Sequence, residues 1–295
     1  MHSSGITIEL TAGRYQAKIV SVGAGLAELT RSGRHLVVPH HPETMPPAHQ
    51  GKVLVPWPNR IANGCYQYQD VEYLLPLNDR ATHAAIHGLL AWRDWQIRAR
   101  SASAVTLTAF LPPSYGYPFA LVCETVYRLD AASGLEITIT TQNIGDRPAP
   151  YGAGIHPYLT CNLETVDTCT LRLPAEQAFC VDAQLNPRHL LATSEAGLDY
   201  RSPRTLGASR IDHTFKAPSS ERPWKVVLTS PQQKMSVFLC STQPWIQVYS
   251  GEKLARTGLA VEPMSCPPNA FNSTQDLISL APQETHRLWL AIGGE

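Results

Sequence analysis

Residues 135–143 read LEITITTQN, with Leu135, Ile137 and Ile139 alternating with Glu136, Thr138 and Thr140. Side chains of a half-buried strand point alternately to core and solvent, so this period of two, rich in β-branched residues, predicts a strand with one apolar face. The same pattern recurs in AVTLTAF (104–110), LVCETVYRL (121–129), KVVLTS (225–230), KMSVFLC (234–240) and HRLWLAI (286–292). LDAASG (129–134) and SPQQ (230–233) join neighbouring runs over distances that suit antiparallel hairpins. Parallel crossovers need a dozen or more residues. The predicted class is therefore all-β, a large antiparallel β-sandwich. No repeat of solenoid period and no low-complexity linker interrupts it, so residues 1–295 are expected to form one domain. Two stretches look irregular, His35–Gly64 with six prolines and residues 182–223. Loops of that length are expected to build a site.

Composition narrows the function classes. Hydrophobic residues make up 43% of the 295, enough for a sizeable core. Lys+Arg and Asp+Glu balance at 24 each, and charged residues are only 16%, so no basic stripe is expected for nucleic acid or an anionic membrane. Twenty-four prolines argue against long helices. Seven cysteines without a CxxC fit neither a zinc knuckle nor a fully paired disulfide framework, and point to a reducing cytoplasm. The first twenty residues lack a basic segment followed by an apolar one, and no apolar run approaches a membrane span. The composition sets no oligomeric state.

Several short motifs have bland readings. VGAGLAEL (22–29) lacks the third glycine of a dinucleotide fingerprint, because Glu28 occupies its place, and Gly23 and Gly25 read as a turn or bulge between early strands. HAAIH (83–87) spaces two imidazoles like a helical metal pair, but lacks the glutamate of HExxH and sits among poor helix formers. His40 and His41, between Pro39 and Pro42, read as solvated loop histidines. No GxSxG elbow or P-loop is present.

Four segments combine functional side chains with residues that stiffen the backbone: PWPNRIANG (56–64), IHGLLAWRDW (86–95), GAGIHPYL (152–159) and VEPMSCPPNAFN (261–272). Together, and with RIDHTF (210–215), they resemble the aldose 1-epimerase (galactose mutarotase) family from the GAGLAEL turn to the late E…PNAFN segment. The resemblance implies the galactose mutarotase-like supersandwich and a mutarotase that interconverts the α and β anomers of a free aldohexose. It implies Glu262 as base on the C1 hydroxyl, His156 as acid at the ring oxygen and His87 as a second histidine on that side. It further implies Arg60 and Asp212 as partners of sugar hydroxyls.

Ring opening needs one proton removed from the C1 hydroxyl and one delivered to the ring oxygen, with the roles reversed on closure. A carboxylate and an imidazole suffice, without metal or cofactor, and acid and base are expected on opposite sides of the reacting carbon. An epimerase of an anionic hexose (6-phosphate or sulfonated sugar) and a non-catalytic carbohydrate-binding sandwich are the alternatives. Leu89, where the family has a second glycine, is expected to narrow the pocket beside His87, and Leu159 stands where phenylalanine is common. Trp57, Trp92, Trp95, Tyr158 and Trp245 are candidates for an apolar platform under the sugar.

Overall fold

The computed structural model describes residues 2–220 and 222–295. The strand that opens this reading, Gly134–Asn143, is hydrogen-bonded antiparallel on both sides, to Leu121–Asp130 and to Thr285–Gly294. Leu135, Ile137 and Ile139 are wholly buried, so the alternation in sequence is the alternation in space. Around this centre a nine-stranded sheet runs in the order 96–100, 104–111, 121–130, 134–143, 285–294, 235–241, 224–230, 170–172 and 204–205. Both sequence hairpins form, 121–130 with 134–143 and 224–230 with 235–241.

A second, eight-stranded sheet faces it, with the path 187–192, 177–181, 212–216, 245–249, 259–264, 154–155 and 53–54, and with Tyr158–Leu159 paired to the 259–264 strand. Ile246, Val248 and Val261 of this sheet share one apolar cluster with Leu135, Ile137 and Ile139 of the other. A four-stranded sheet of Thr7–Ala12, Tyr15–Val20, Gly25–Arg31 and Arg34–His35 adds Leu10, Ile19 and Leu29 to the same cluster. The architecture is an antiparallel β-sandwich extended by further strands, and the only α-helix among the described residues is the single turn Ala270–Ser273.

The irregular-looking stretches hold more order than their sequence suggests. Strands Pro187–Ala192, Arg204–Thr205 and Asp212–Lys216 lie inside 182–223. Pro187–Ala192 and Arg204–Thr205 are at sheet edges, where alternation is weak because neither face is fully covered. His40 is a correction to the solvated-loop reading: its backbone N–H donates to Ala27 O at 3.0 Å, and its ring is buried with neither nitrogen partnered. His41 is exposed. Gly23 (φ 70°) makes the early turn, where a Cβ would lie 2.2 Å from Ala91 O.

Candidate active site

Three neighbouring strands of the eight-stranded sheet carry the site's floor. In Trp245–Tyr249, Ile246 and Val248 face the main core, so Trp245, Gln247 and Tyr249 face the opposite way. Register then aligns Thr214, Gln247 and Glu262 in one cross-strand row, with Asp212 one pleat along from Thr214. Gln247 ties the row together. Its Nε2 donates to Asp212 Oδ1 at 2.7 Å, and its Oε1 accepts from the Thr214 hydroxyl.

The remaining side chains come from loops pinned to this floor. Arg60 begins the strand Arg60–Ala62, which pairs with Ala84–Ile86 and so brings His87 beside it. The His87 N–H donates to Asn59 O at 2.7 Å, and both His87 (φ 64°) and Gly88 (φ 73°) are left-handed. His156 follows Gly154–Ile155 and exchanges backbone bonds with the facing segment: its N–H donates to Lys52 O at 3.1 Å, and its carbonyl accepts from Gly51 N at 2.8 Å.

Glu262, His156, His87, Arg60 and Asp212, five residues distant in sequence, all line one cavity of about 250 Å³. At its base His156 Nε2 and Glu262 Oε1 are 3.2 Å apart, with both side chains almost fully buried. The His156 and His87 rings meet edge to face at 5.2 Å, and Tyr158 stacks on His156 at 5.0 Å. Arg60 Nη1 donates to Leu185 O at 2.7 Å. Glu262 Oε2, Arg60 Nε, Asn59 Oδ1, His87 Nδ1 and His156 Nδ1 are buried without a protein partner. Buried polar atoms are normally satisfied, so their concentration on one cavity marks a surface built to meet a polar ligand.

Burial sets the electrostatics. It raises the Glu262 carboxyl well above the usual carboxylate range, with Asp212 adding to the rise and Arg60 opposing it. It lowers His156 to about 3, with His49 and Lys253 adding to the effect, and lowers His87 well below the ordinary imidazole range. Asp212 is also raised by burial, against the pull of Arg60. The contacting pair Glu262–His156 thus holds a single proton over a wide pH range. Acid and base stand side by side, not on opposite sides of a substrate carbon. That arrangement serves ring opening equally well, because the C1 hydroxyl oxygen and the ring oxygen are both bonded to C1.

Other expectations are redistributed. Leu89 does not line the cavity; it packs against the core, its N–H donating to Val55 O at 2.9 Å. Leu159 is wholly buried in the core. Of the aromatic candidates, Tyr158 lines the cavity and Trp92 lies against His49 at 5.3 Å. Trp57, Trp95 and Trp245 are buried, and their indole N–H groups donate to Ala85 O, Leu90 O and Asp276 Oδ2. The HAAIH histidines flank a strand and diverge, His83 toward Asn63 and His87 into the cavity. Among the described residues no group of three or more His, Cys, Asp or Glu is arranged to hold a metal. Sequence reasoning missed His49, Gln247 and Lys253, all on the cavity. The alternation in WIQVY was the available signal for Gln247, since it places a polar residue on the face of Glu262.

The match to the aldose 1-epimerase family model covers residues 7–293, nearly the whole chain. The chain belongs to the aldose 1-epimerase family. Membership makes it an isomerase of the mutarotase kind, which sets aside the non-catalytic sandwich. The uncharacterized protein YihR of Escherichia coli (strain K12) is 60% identical over 295 residues, covering 100% of this chain and 95% of that protein. Among solved structures, the GalM/aldose epimerase homologue from C. elegans superposes with a TM-score of 0.89 at 20% identity, over 98% of each chain. Galactose 1-epimerase from Lactobacillus acidophilus NCFM gives a TM-score of 0.83 at 20% identity, over 98% of this chain and 93% of that one. At such identity the likeness to these structures is one of fold.

Proposed function

We propose that this chain, acting as one domain, interconverts the α and β anomers of a free aldohexose through the Glu262–His156 pair. The observation that carries this reading is their 3.2 Å contact at the base of a cavity lined by Arg60, His87 and Asp212. With Glu262 ionised and His156 protonated, Glu262 takes the C1 hydroxyl proton as the C1–ring oxygen bond breaks. His156 gives its proton to the ring oxygen. An aldehyde forms, and the pair is left as neutral carboxyl and neutral imidazole. The pair carries one proton before and after, and burial favours the uncharged arrangement reached in the open-chain state. Rotation about C1–C2 and the reverse transfers close the ring on the other face. His87 supports the ring-oxygen side. Arg60, a rigid fork of donors, and the Asp212 carboxylate hold hydroxyls.

Neither transfer calls for a Lewis acid, so EDTA treatment and dialysis leave the rate unchanged on this reading. Seven free cysteines suit a reducing cytoplasm.

Lys253 favours a second reading, an anionic hexose. It lines the cavity beside His49 and makes no ion pair among the described residues, whereas Arg256 is occupied by Asp167 and Glu252. Against it, Asp79 and Asp212 on the same cavity balance Arg60 and Lys253. NMR exchange spectroscopy of anomeric protons across neutral, 6-phosphorylated and 6-sulfonated hexoses tests both readings. Enhanced exchange supports mutarotation, and a salt-sensitive preference of more than about tenfold for an anionic sugar selects the second reading. Exchange at the uncatalysed rate for every sugar would refute both.

A further inference from the structure

Three imidazoles line the cavity, and the proposed reaction gives roles to only two, His156 and His87. The third, His49, lies 4.5 Å from the His87 ring and 6.4 Å from the His156 ring, nearly parallel to the latter at 21°. The side chains form an ordered row in which Glu262 touches His156, His156 meets His87, and His87 meets His49. A pyranose has an order of its own, running from the C1 hydroxyl through C1 and the ring oxygen to C5 and its exocyclic group. With the C1 hydroxyl at Glu262 and the ring oxygen beside His156 and His87, the next group along the sugar, on C5, meets the next side chain along the row, His49. We infer that His49 is a specificity-determining residue that contacts the substituent on C5 and sets the preference for hexoses over pentoses. This rests on the mutarotase reading above.

The surroundings of His49 are those of a fixed contact. It ends the short turn Pro47–His49 in a left-handed conformation (φ 54°), and its carbonyl accepts from Lys52 N at 3.0 Å. Its ring rests on Trp92. Lys52 supports Trp92 in turn: its wholly buried ammonium lies 5.2 Å from the indole and donates to Val22 O at 2.6 Å. Gly23 leaves the space for that lysine stem, since a Cβ there would lie 2.7 Å from Lys52 Cδ. The early GAG turn therefore has a consequence at the site. Burial, then Lys253 and Lys52, lower the His49 imidazole to about 4, so the ring is neutral at working pH. A neutral imidazole both donates and accepts, as does a hydroxyl.

The C5 substituent does not change during ring opening, so a contact to it acts equally on ground and transition states and is read in KM more than in kcat. The test compares glucose, glucose 6-phosphate and xylose, which differs from glucose only in lacking the C5 hydroxymethyl group. Each is assayed with the wild type, His49→Asn and His49→Gly, two substitutions that tolerate the left-handed backbone. Melting curves confirm that each variant folds. The expected result is a fall of about tenfold in the kcat/KM preference for the better hexose over xylose, carried by KM, with xylose itself within about twofold of wild type. An unchanged preference in both variants, or an equal loss of kcat on every sugar, would overturn the inference. A wild type inactive on these three sugars and on every hexose of the exchange panel, the 6-sulfonated ones included, would overturn the mutarotase reading and this inference with it, an outcome distinct from active enzyme with an unaltered preference.

Discussion

At the scale of single residues, Glu262 and His156 are neighbours whose protonation is meaningful only as a pair. Glu262→Gln and His156→Asn preserve shape and remove one proton acceptor or donor. Each is expected to keep the melting temperature near wild type and to slow anomerisation by about 10² to 10⁴-fold, the usual loss for one positioned acid-base group. Polarimetry on fresh α-glucose, or on the sugar chosen by the exchange panel, measures it, and full activity of either folded variant would remove that residue from the chemistry. The pH profile follows from the pair's proton count. Activity requires one shared proton, which is lost only above the raised Glu262 range and supplemented only below the lowered His156 range, near about 3. Hence kcat should show no fall on acidification from about pH 7 to 5. An inflection near the ordinary imidazole value of about 6.5 would mean that His156 titrates alone. Glu262, His156, His87 and Arg60 were legible because each sits in a motif with stiffening neighbours, as in HPY and NRI, and Asp212 only through the resemblance of RIDHTF to the family. His49 was not, since it lies in a proline-rich loop whose fold depends on Trp92 and Lys52, and no local pattern encodes that contact.

At the scale of elements, legibility tracked length and one-sided burial. Gly134–Asn143 and Leu121–Asp130 announce themselves because ten residues alternate with one face in the core. Leu259–Met264 does not, because all six residues are buried and the contrast between faces disappears. Two-residue strands such as Val53–Leu54 and Gly154–Ile155 are held by pairing with distant partners, and local sequence cannot report that. Those short strands place His156, so the site's framework was less readable than its chemistry. The junction after Ala84–Ile86 shows how tightly it is set. Gly88 has φ 73°, and a Cβ would lie 2.2 Å from Val55 O and 2.4 Å from its carbonyl carbon. Both contacts are backbone, so relief must come from moving the strand that carries His87. Gly88→Ala is expected to destabilise the fold by ~1–3 kcal/mol through a strained left-handed residue and displaced backbone, and to slow anomerisation as well. Urea unfolding and polarimetry read the two effects, and a variant as stable as wild type would show that the turn relaxes freely.

At the scale of the whole molecule, the fold buries imidazoles without carboxylate partners adequate to keep them charged. Burial lowers His40 and His49 to about 4, His156 to about 3, and His87 well below the ordinary imidazole range. In the unfolded chain each titrates near about 6.5, so between these values the unfolded state binds more protons than the folded one. Stability contributed by these four groups is therefore complete above about pH 6.5 and is lost as pH falls toward their folded values. Glu262 and Asp212 act in the opposite sense, because burial raises them and the folded state keeps protons that the unfolded state releases. Four imidazoles against two carboxyls leave a net uptake of protons on unfolding as pH falls below about 6.5. His213 and His286, also lowered by burial, add to it. The urea midpoint should therefore fall on acidification from pH 7 to 5, and His40→Gln, at a residue that does not line the cavity, should lessen that fall while leaving kcat unchanged. A midpoint that held level or rose on acidification would mean that the buried imidazoles gain protons without unfolding, and the lowering of their titration by burial would have to be abandoned.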